Sequence, residues 1–166
     1  MVRKMSEEAQ HIILHGMVEY TEALDTLCGL ARRNLYIFEK DFDGIGFNSE
    51  ARQDTLRAFL LANPMNRLHL LAHDTGPLVK RCPRMMLLLQ QFSHNMHIYV
   101  TPTHLRRVTE PFAVADELHF VRRFHFDDPR GILALNDSKE ARMVQSRFVE
   151  LWSSSRPGAS ATTLGL

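Results

Sequence analysis

Cysteine is scarce. Cys28 and Cys82 are the only two in 166 residues, and they fall in different periodic segments, so no disulfide framework holds the chain together. No run approaches the roughly 20 apolar residues of a membrane span. The opening MVRKMSEEAQH is charged and lacks the apolar core of a secretory leader. These absences fit a reducing cytoplasm. Charge of one sign is also missing: twenty Lys and Arg against nineteen Asp and Glu leave a formal +1. No global field therefore draws the molecule onto nucleic acid or anionic lipid, and any such binding must be local. No internal repeat is present.

What remains is the composition of one soluble globular domain with a single core. The periodicities divide the chain into an N-terminal arm (1–17), an α/β domain (18–154) and a flexible C-terminal tail (155–166). Within the arm, Ile12 to Leu14 reads as a short strand or an apolar anchor. From Val18 to Arg32, Tyr20, Leu24, Leu27, Cys28 and Ala31 recur at helical spacing. Leu35 to Phe38 is a short apolar run suited to a strand covered on both faces. A second helix, capped by Asn48 or Ser49, turns Arg52, Leu56, Phe59 and Leu60 inward and stops before Pro64. Leu68 to Ala72 is the next strand. A third helix starts with Thr75 as cap and Pro77 in its first turn, and Pro83 either lies in that turn or marks a break. Met96 to Val100 is a third strand.

Alternation of helix and strand over the first hundred residues predicts parallel strands with right-handed crossovers. After that the pattern changes. Phe112 to Ala115 and Leu118 to Val121 are too close for a crossover and form a hairpin. Ile132 to Leu135 leads through Asn136 into a helix from Ser138 to Ser154. Asp137 and Glu140 take the capping-box spacing there, and Ala141, Val144, Phe148, Leu151 and Trp152 face inward. The expected fold is α/β, a mixed sheet sandwiched between helices.

Ligands of such sheets gather at the carboxyl ends of the strands. That rule brings Asp41, Asp43, His73 and Asp74 to one rim, with Asp116 placed beside them. Carboxylates with an imidazole suit a hard divalent cation for phosphoester cleavage, yet acidic residues also recur in turns and caps, so the spacing assigns no metal. The nine histidines lack zincin spacing and read as surface or edge-strand residues. Arg106-Arg107, Arg122-Arg123, Lys80-Arg81 and Arg84 either converge on phosphate or guard an exposed edge strand. No cofactor motif is present.

Taken in order, LYIFEKDFD, LHLLAHDTGPLVKRCPRMMLLLQQFS, PFAVAD and the ending ND with RFVELWSSS make Val18 to Trp152 resemble a phospholipase-D-like domain. The resemblance is to an uncharacterised bacterial group sometimes attached to GNAT-type acetyltransferases. It implies the fold of a single phospholipase D repeat. Active relatives carry an HxK motif whose His is the nucleophile. Aligning Asp116 with the Asp of that motif puts Thr109 at the His position and Pro111 at the Lys position, and neither can replace the original. Asn136 matches the later phosphate-binding Asn.

The resemblance thus implies a non-catalytic ligand-binding or protein-interaction module for a phosphate-bearing ligand. Its candidate site is Asp41, Asp43, His73, Asp74, Arg81, Asp116 and Asn136. It also implies pairing with a second copy through the sheet, as a homodimer, and an acetyltransferase as partner; nucleic acid is left open. The alternative is a metal-dependent phosphoesterase or nuclease using Asp41, Asp43 and Asp74.

Overall fold

A computed structural model describes residues 8–159. Eight strands form one mixed sheet, numbered in chain order: β1 Gln10–Leu14, β2 Asn34–Glu39, β3 Arg67–Ala72, β4 Met96–Val100, β5 Phe112–Ala115, β6 His119–His125, β7 Asp128–Leu135 and β8 Arg156–Ala159. Their order across the sheet is β1-β7-β6-β5-β2-β3-β4-β8. β2, β3 and β4 are parallel neighbours, and every other pairing is antiparallel. The α-helices among the described residues are α1 Met17–Leu30, α2 Glu50–Ala62, α3 Gly76–Arg81, α4 Pro83–Gln91 and α5 Ser138–Ser153.

Strand alternation divides the core into two sides. Leu35 and Ile37 of β2 join Leu24, Leu27, Leu56, Met85 and Leu89 in the main cluster beneath α1, α2 and α4. Phe38, one residue on, points the other way and packs with Leu71, Phe112, Phe148 and Leu151 under α5. This explains why β2 reads as a continuous apolar run: both of its faces are covered. The expected mixed α/β sheet between helices is therefore the observed fold.

Local chemistry sets the boundaries. Ser49 caps α2 by accepting from the Arg52 backbone N–H, and Asp137 caps α5 through Glu140. The expected Thr75 cap is not made. Asp74 takes the Gly76 N–H at 2.8 Å, and the Thr75 hydroxyl reaches Gly158 instead. Pro83 marks the break between α3 and α4, which meet at Cys82.

Both chain ends depart from the expected arm and tail. Gln10–Leu14 pairs antiparallel with β7 as one edge of the sheet, and Arg156–Ala159 pairs with β4 as the other. Ile12 to Leu14 is thus a strand, one of the two readings its apolar run allowed, whereas RPGA holds no apolar run that would reveal β8. The rest of the tail, 160–166, lies outside the described residues, as does 1–7 of the arm.

The expected hairpin is also longer than its apolar residues suggest. Asp116 and Glu117, with φ of 59° and 54°, make the tight turn from β5 to β6. β6 then runs on through Arg122 and Arg123 to His125. β7 begins at Asp128 and carries an irregularity opposite Arg123 to His125 that accommodates Pro129. Gly131 follows, so close to the facing strand that a Cβ there would sit 2.1 Å from the Arg122 carbonyl oxygen.

Asp116 accepts the backbone N–H groups of Arg32, Arg33 and Asn34 at 2.7–2.9 Å. It fastens the start of β2 to the turn. Asp116→Ala leaves these donors without their charged acceptor, and we expect a loss of about 2–3 kcal/mol in chemical denaturation. Gly131→Ala should be at least as damaging, because the opposing atom is backbone and cannot swing aside.

Candidate functional site

The parallel strands β2, β3 and β4 bring their carboxyl ends to one rim, the usual ligand side of an α/β sheet. Lys40 follows β2, His73 and Asp74 follow β3, and Arg106 and Thr109 belong to the β4–β5 connection. The tip of the β6–β7 hairpin reaches the same rim with His125, Phe126 and Asp127. These side chains line a cavity of about 390 Å³. Two hollows of about 510 Å³ lie elsewhere, one along the outer side of α5 and the other between the ends of α1 and α2.

His73 is held at both ring nitrogens. Its Nε2 lies 2.7 Å from the Val108 carbonyl oxygen and its Nδ1 2.6 Å from the Thr101 hydroxyl. A carbonyl only accepts, so Nε2 carries the proton and Nδ1 accepts from Thr101. Burial lowers the His73 pKa, the Val108 bond opposes that, and the nearby Arg106 guanidinium adds to the lowering. The ring is a neutral strut, with Phe38 and Phe126 edge-on at 5.1 and 5.5 Å.

His125 is committed on one side only. Its Nδ1 accepts the Asp127 backbone N–H at 2.9 Å, so the neutral ring bears its proton on Nε2 and offers a donor. Lys40, Arg106 and the Thr109 hydroxyl supply further donors. Asp74 and Asp127 bring negative charge to the same lining. One Asp74 oxygen is already used by Gly76, and the Asp127 carboxylate lies 3.8 Å from His125 Nδ1.

Of the residues expected from sequence, His73 and Asp74 line this cavity. Asp41, Asp43 and Arg81 share the rim but stand outside the lining. The Asp41 carboxylate accepts the Asp43 N–H, and Asp43 pairs with Arg81 at 2.7 Å. Asp116 and Asn136 do not belong with them. β5 runs antiparallel to β2 and β7 antiparallel to β6, which carries both residues to the opposite rim. There the Asn136 backbone N–H donates to His119 Nδ1 and its side-chain amide to the Glu8 carbonyl. Among the described residues no group of three or more His, Cys, Asp or Glu is arranged to hold a metal ion. Asp41, Asp43 and Asp74 do not fit that role, because their oxygens are turned to backbone N–H groups and to Arg81.

The basic residues do not converge either. Arg106 lines the cavity, Arg84 pairs with Glu50 at 3.6 Å, and Arg123 is buried inside the hairpin. Lys40, His125 and Asp127 are among the lining residues missed as site members, as are Arg106, Thr109 and Phe126. The signal for Lys40 was its position directly after β2. For His125 and Asp127 at the hairpin tip it was the true length of the hairpin, obscured by the paired arginines.

The histidines are not uniformly superficial. Tyr36, His69 and His97 are register neighbours on β2, β3 and β4. His69 stacks on Trp152 at 4.3 Å, and Trp152 stacks on Tyr99 at 4.0 Å. Burial, with His97 and Arg67 nearby, lowers the His69 pKa to about 4.

The fold is similar to that of phospholipase D family members. The chain is similar to Nuc from Salmonella typhimurium, a phospholipase D family member, with a TM-score of 0.68 at 10% identity, covering 92% of this chain and all of Nuc. TrmBL2, an archaeal chromatin protein with a novel mode of DNA binding, gives 0.66 at 10% identity, with 89% of this chain covered. This chain spans about half of TrmBL2, 54% of its length. Phosphatidylserine synthase from Haemophilus influenzae Rd KW20 gives 0.62 at 15% identity, covering 89% of this chain and 38% of the synthase. At these identities the likeness concerns the fold. Residues 17–164 match the sequence profile of a domain of unknown function, DUF7931, and the chain belongs to that family. No curated protein sequence matches it. Among the described residues no helix is long and apolar enough to cross a membrane.

His69 should weaken the fold in acid. The unfolded chain protonates His69 near the usual value of 6.5, whereas the folded chain resists until about 4, so stability is lost as pH drops from 6.5 towards 4. Lowered pKa values at His73, His97 and His119 act in the same direction. The buried Glu39, with its pKa raised to about 7, acts in the opposite sense, so the His69 contribution is read as a difference. In thermal melts between pH 7.5 and 4.5, His69→Phe, which keeps the stack and removes the titration, should lose less stability towards acid than the wild type. Parallel slopes would remove His69 as a source.

Proposed function

We propose that this chain is a non-catalytic phospholipase-D-like module that binds a phosphate-bearing ligand in the rim cavity. One observation carries the reading: neither imidazole of the cavity turns an unprotonated nitrogen toward it. His73 uses both nitrogens internally, and His125 keeps its lone pair on the Asp127 N–H. A phosphohistidine mechanism needs a free ring lone pair aimed at phosphorus. What the cavity offers instead are donors, from Lys40, Arg106, the His125 Nε2–H and Thr109, and these suit an oxyanion. Asp74 and Asp127 limit the net positive charge, so recognition rests on placed donors more than on long-range attraction.

In this reading Thr109 stands for the nucleophilic His of active phospholipase D relatives and Pro111 for their Lys. Thr109 lines the cavity, but it has no ring nitrogen, and Pro111 has no cation to stabilise a transferring phosphoryl group. Asn136, which the resemblance assigned to phosphate, takes no part in this reading because it lies at the other end of the sheet.

Calorimetric titration with dimethyl phosphate tests the proposal. Lys40→Ala and Arg106→Ala should each weaken binding by about tenfold or more, the scale of a charged hydrogen bond, and Arg81→Ala should leave it unchanged. The wild-type chain should not cleave bis(p-nitrophenyl) phosphate, single-stranded DNA or RNA, with Mg²⁺, Mn²⁺ or EDTA. Cleavage lost in His125→Asn would replace this reading with an enzymatic one.

A further inference from the structure

Directly behind the cavity, Glu39 and Arg123 are buried together, 3% and 5% exposed, on the side of the sheet facing α1. Arg123 Nη2 donates to Glu39 Oε1 at 3.2 Å, and the fully buried Tyr20 hydroxyl donates to Glu39 Oε2. The guanidinium lies 4.6 Å over the Tyr20 ring. Its other nitrogen, Nη1, reaches the carbonyl oxygens of Phe126 at 2.8 Å, Asp128 at 3.3 Å and His125 at 3.5 Å. One arginine therefore binds a buried carboxylate with one arm and the tip of the β6–β7 hairpin with the other. That tip supplies His125, Phe126 and Asp127 to the cavity, while Glu39 is followed at once by Lys40, which lines the cavity from the opposite strand.

We propose that Glu39 and Arg123 are positioning residues for the rim site, and that Glu39 takes up a proton when the site binds an anion. The inference rests on the anion-binding reading given above. With Glu39 ionised, the cluster is a neutral pair next to the site. With Glu39 protonated, its oxygens still accept from Arg123 and the hairpin stays pinned, but the Arg123 charge loses its counter-charge. An anion in the adjacent cavity then meets one more net positive charge. By reciprocity, a bound anion favours the protonated form of Glu39.

The surroundings allow this exchange near neutrality. Burial is the main cause that raises the Glu39 pKa to about 7, opposed by Arg123 and by the Tyr20 hydrogen bond, with Asp41 adding to the rise. Tyr20 from α1, Arg123 from β6 and Asp41 from the β2–α2 loop are the charged or titratable groups acting on it. On the cavity side stand Lys40, His73, Asp74, Arg106, His125 and Asp127. His125 lines the same cavity, and substitution separates its contribution from that of Glu39.

The test is calorimetry with inorganic sulfate, whose charge is constant between pH 6 and 8.5, in buffers of different ionisation heat. Sulfate should bind the wild-type chain about fivefold more tightly at pH 6 than at 8.5 through Glu39, with net proton uptake near pH 7. Glu39→Gln, which fixes the neutral form, should bind at pH 8.5 as tightly as the wild type does at pH 6. His125→Asn should retain the Glu39-dependent uptake. In the unmodified chain, carboxyl ¹³C NMR should show the Glu39 pKa rising on addition of sulfate, and this holds whether or not the Gln variant folds. Binding with an unchanged pH profile in Glu39→Gln, or a Glu39 titration indifferent to sulfate, would overturn the inference and leave the anion-binding reading standing. No sulfate binding at any pH would overturn both.

Discussion

The antiparallel pairing of β5 with β2 is the constraint on which the site depends. Up to β4 every strand runs in one direction, and the loops that follow the strands collect at one rim. At β5 the direction reverses. Four residues of strand then separate Pro111, two residues past the cavity-lining Thr109, from Asp116 at the far end of the sheet. A linear motif spanning that strand contributes its beginning to the site and its end to the fold, where Asp116 ties down three backbone N–H groups. The same geometry returns the β6–β7 hairpin to the rim and sends Asn136 away from it.

Two buried arginines support that rim from below. Arg52, 1% exposed, pairs with Asp25 and donates to the carbonyl oxygens of Thr21 and Ile45, binding the β2–α2 loop to α1. Gly46, at φ 85°, lets the loop pass over the guanidinium, to which a Cβ would come within 3.1 Å. Arg123 does the equivalent for the hairpin. A buried guanidinium is costly to desolvate unless its donors find acceptors, and in both cases main-chain carbonyls of a rim loop provide them. The loops are thereby held by charge in places where apolar packing alone would leave irregular backbone.

Much of the fold was legible because its signals are local. Periodicity places α1, α2 and α5, the continuous apolar runs give β2 and β3, and Asp137 with Glu140 marks the start of α5. Of the edge strands, β1 was half legible, since Ile12 to Leu14 left strand and anchor open, while RPGA becomes a strand only through β4. The site was half legible for the same reason. Strand ends point to His73 and Asp74, but a buried Arg123 and an exposed Arg122 look alike in sequence, and only pairing reveals which faces α1. Asp116 was misplaced because a short polar turn gives no hint of the rim on which it lies.

The irregularity in β7 at Pro129 and Arg130 has a consequence for how the chain tolerates change in length. Side chains alternate between the two faces of a strand, so one residue more or less in a hairpin exchanges them. β7 absorbs its extra residue immediately after the tip that holds His125 and Asp127. A single-residue deletion there would restore regular pairing with His125 still opposite Asp128, and the extra twist that a bulge gives its hairpin would be lost from the tip. The sheet would survive that edit, whereas the cavity would acquire a different wall.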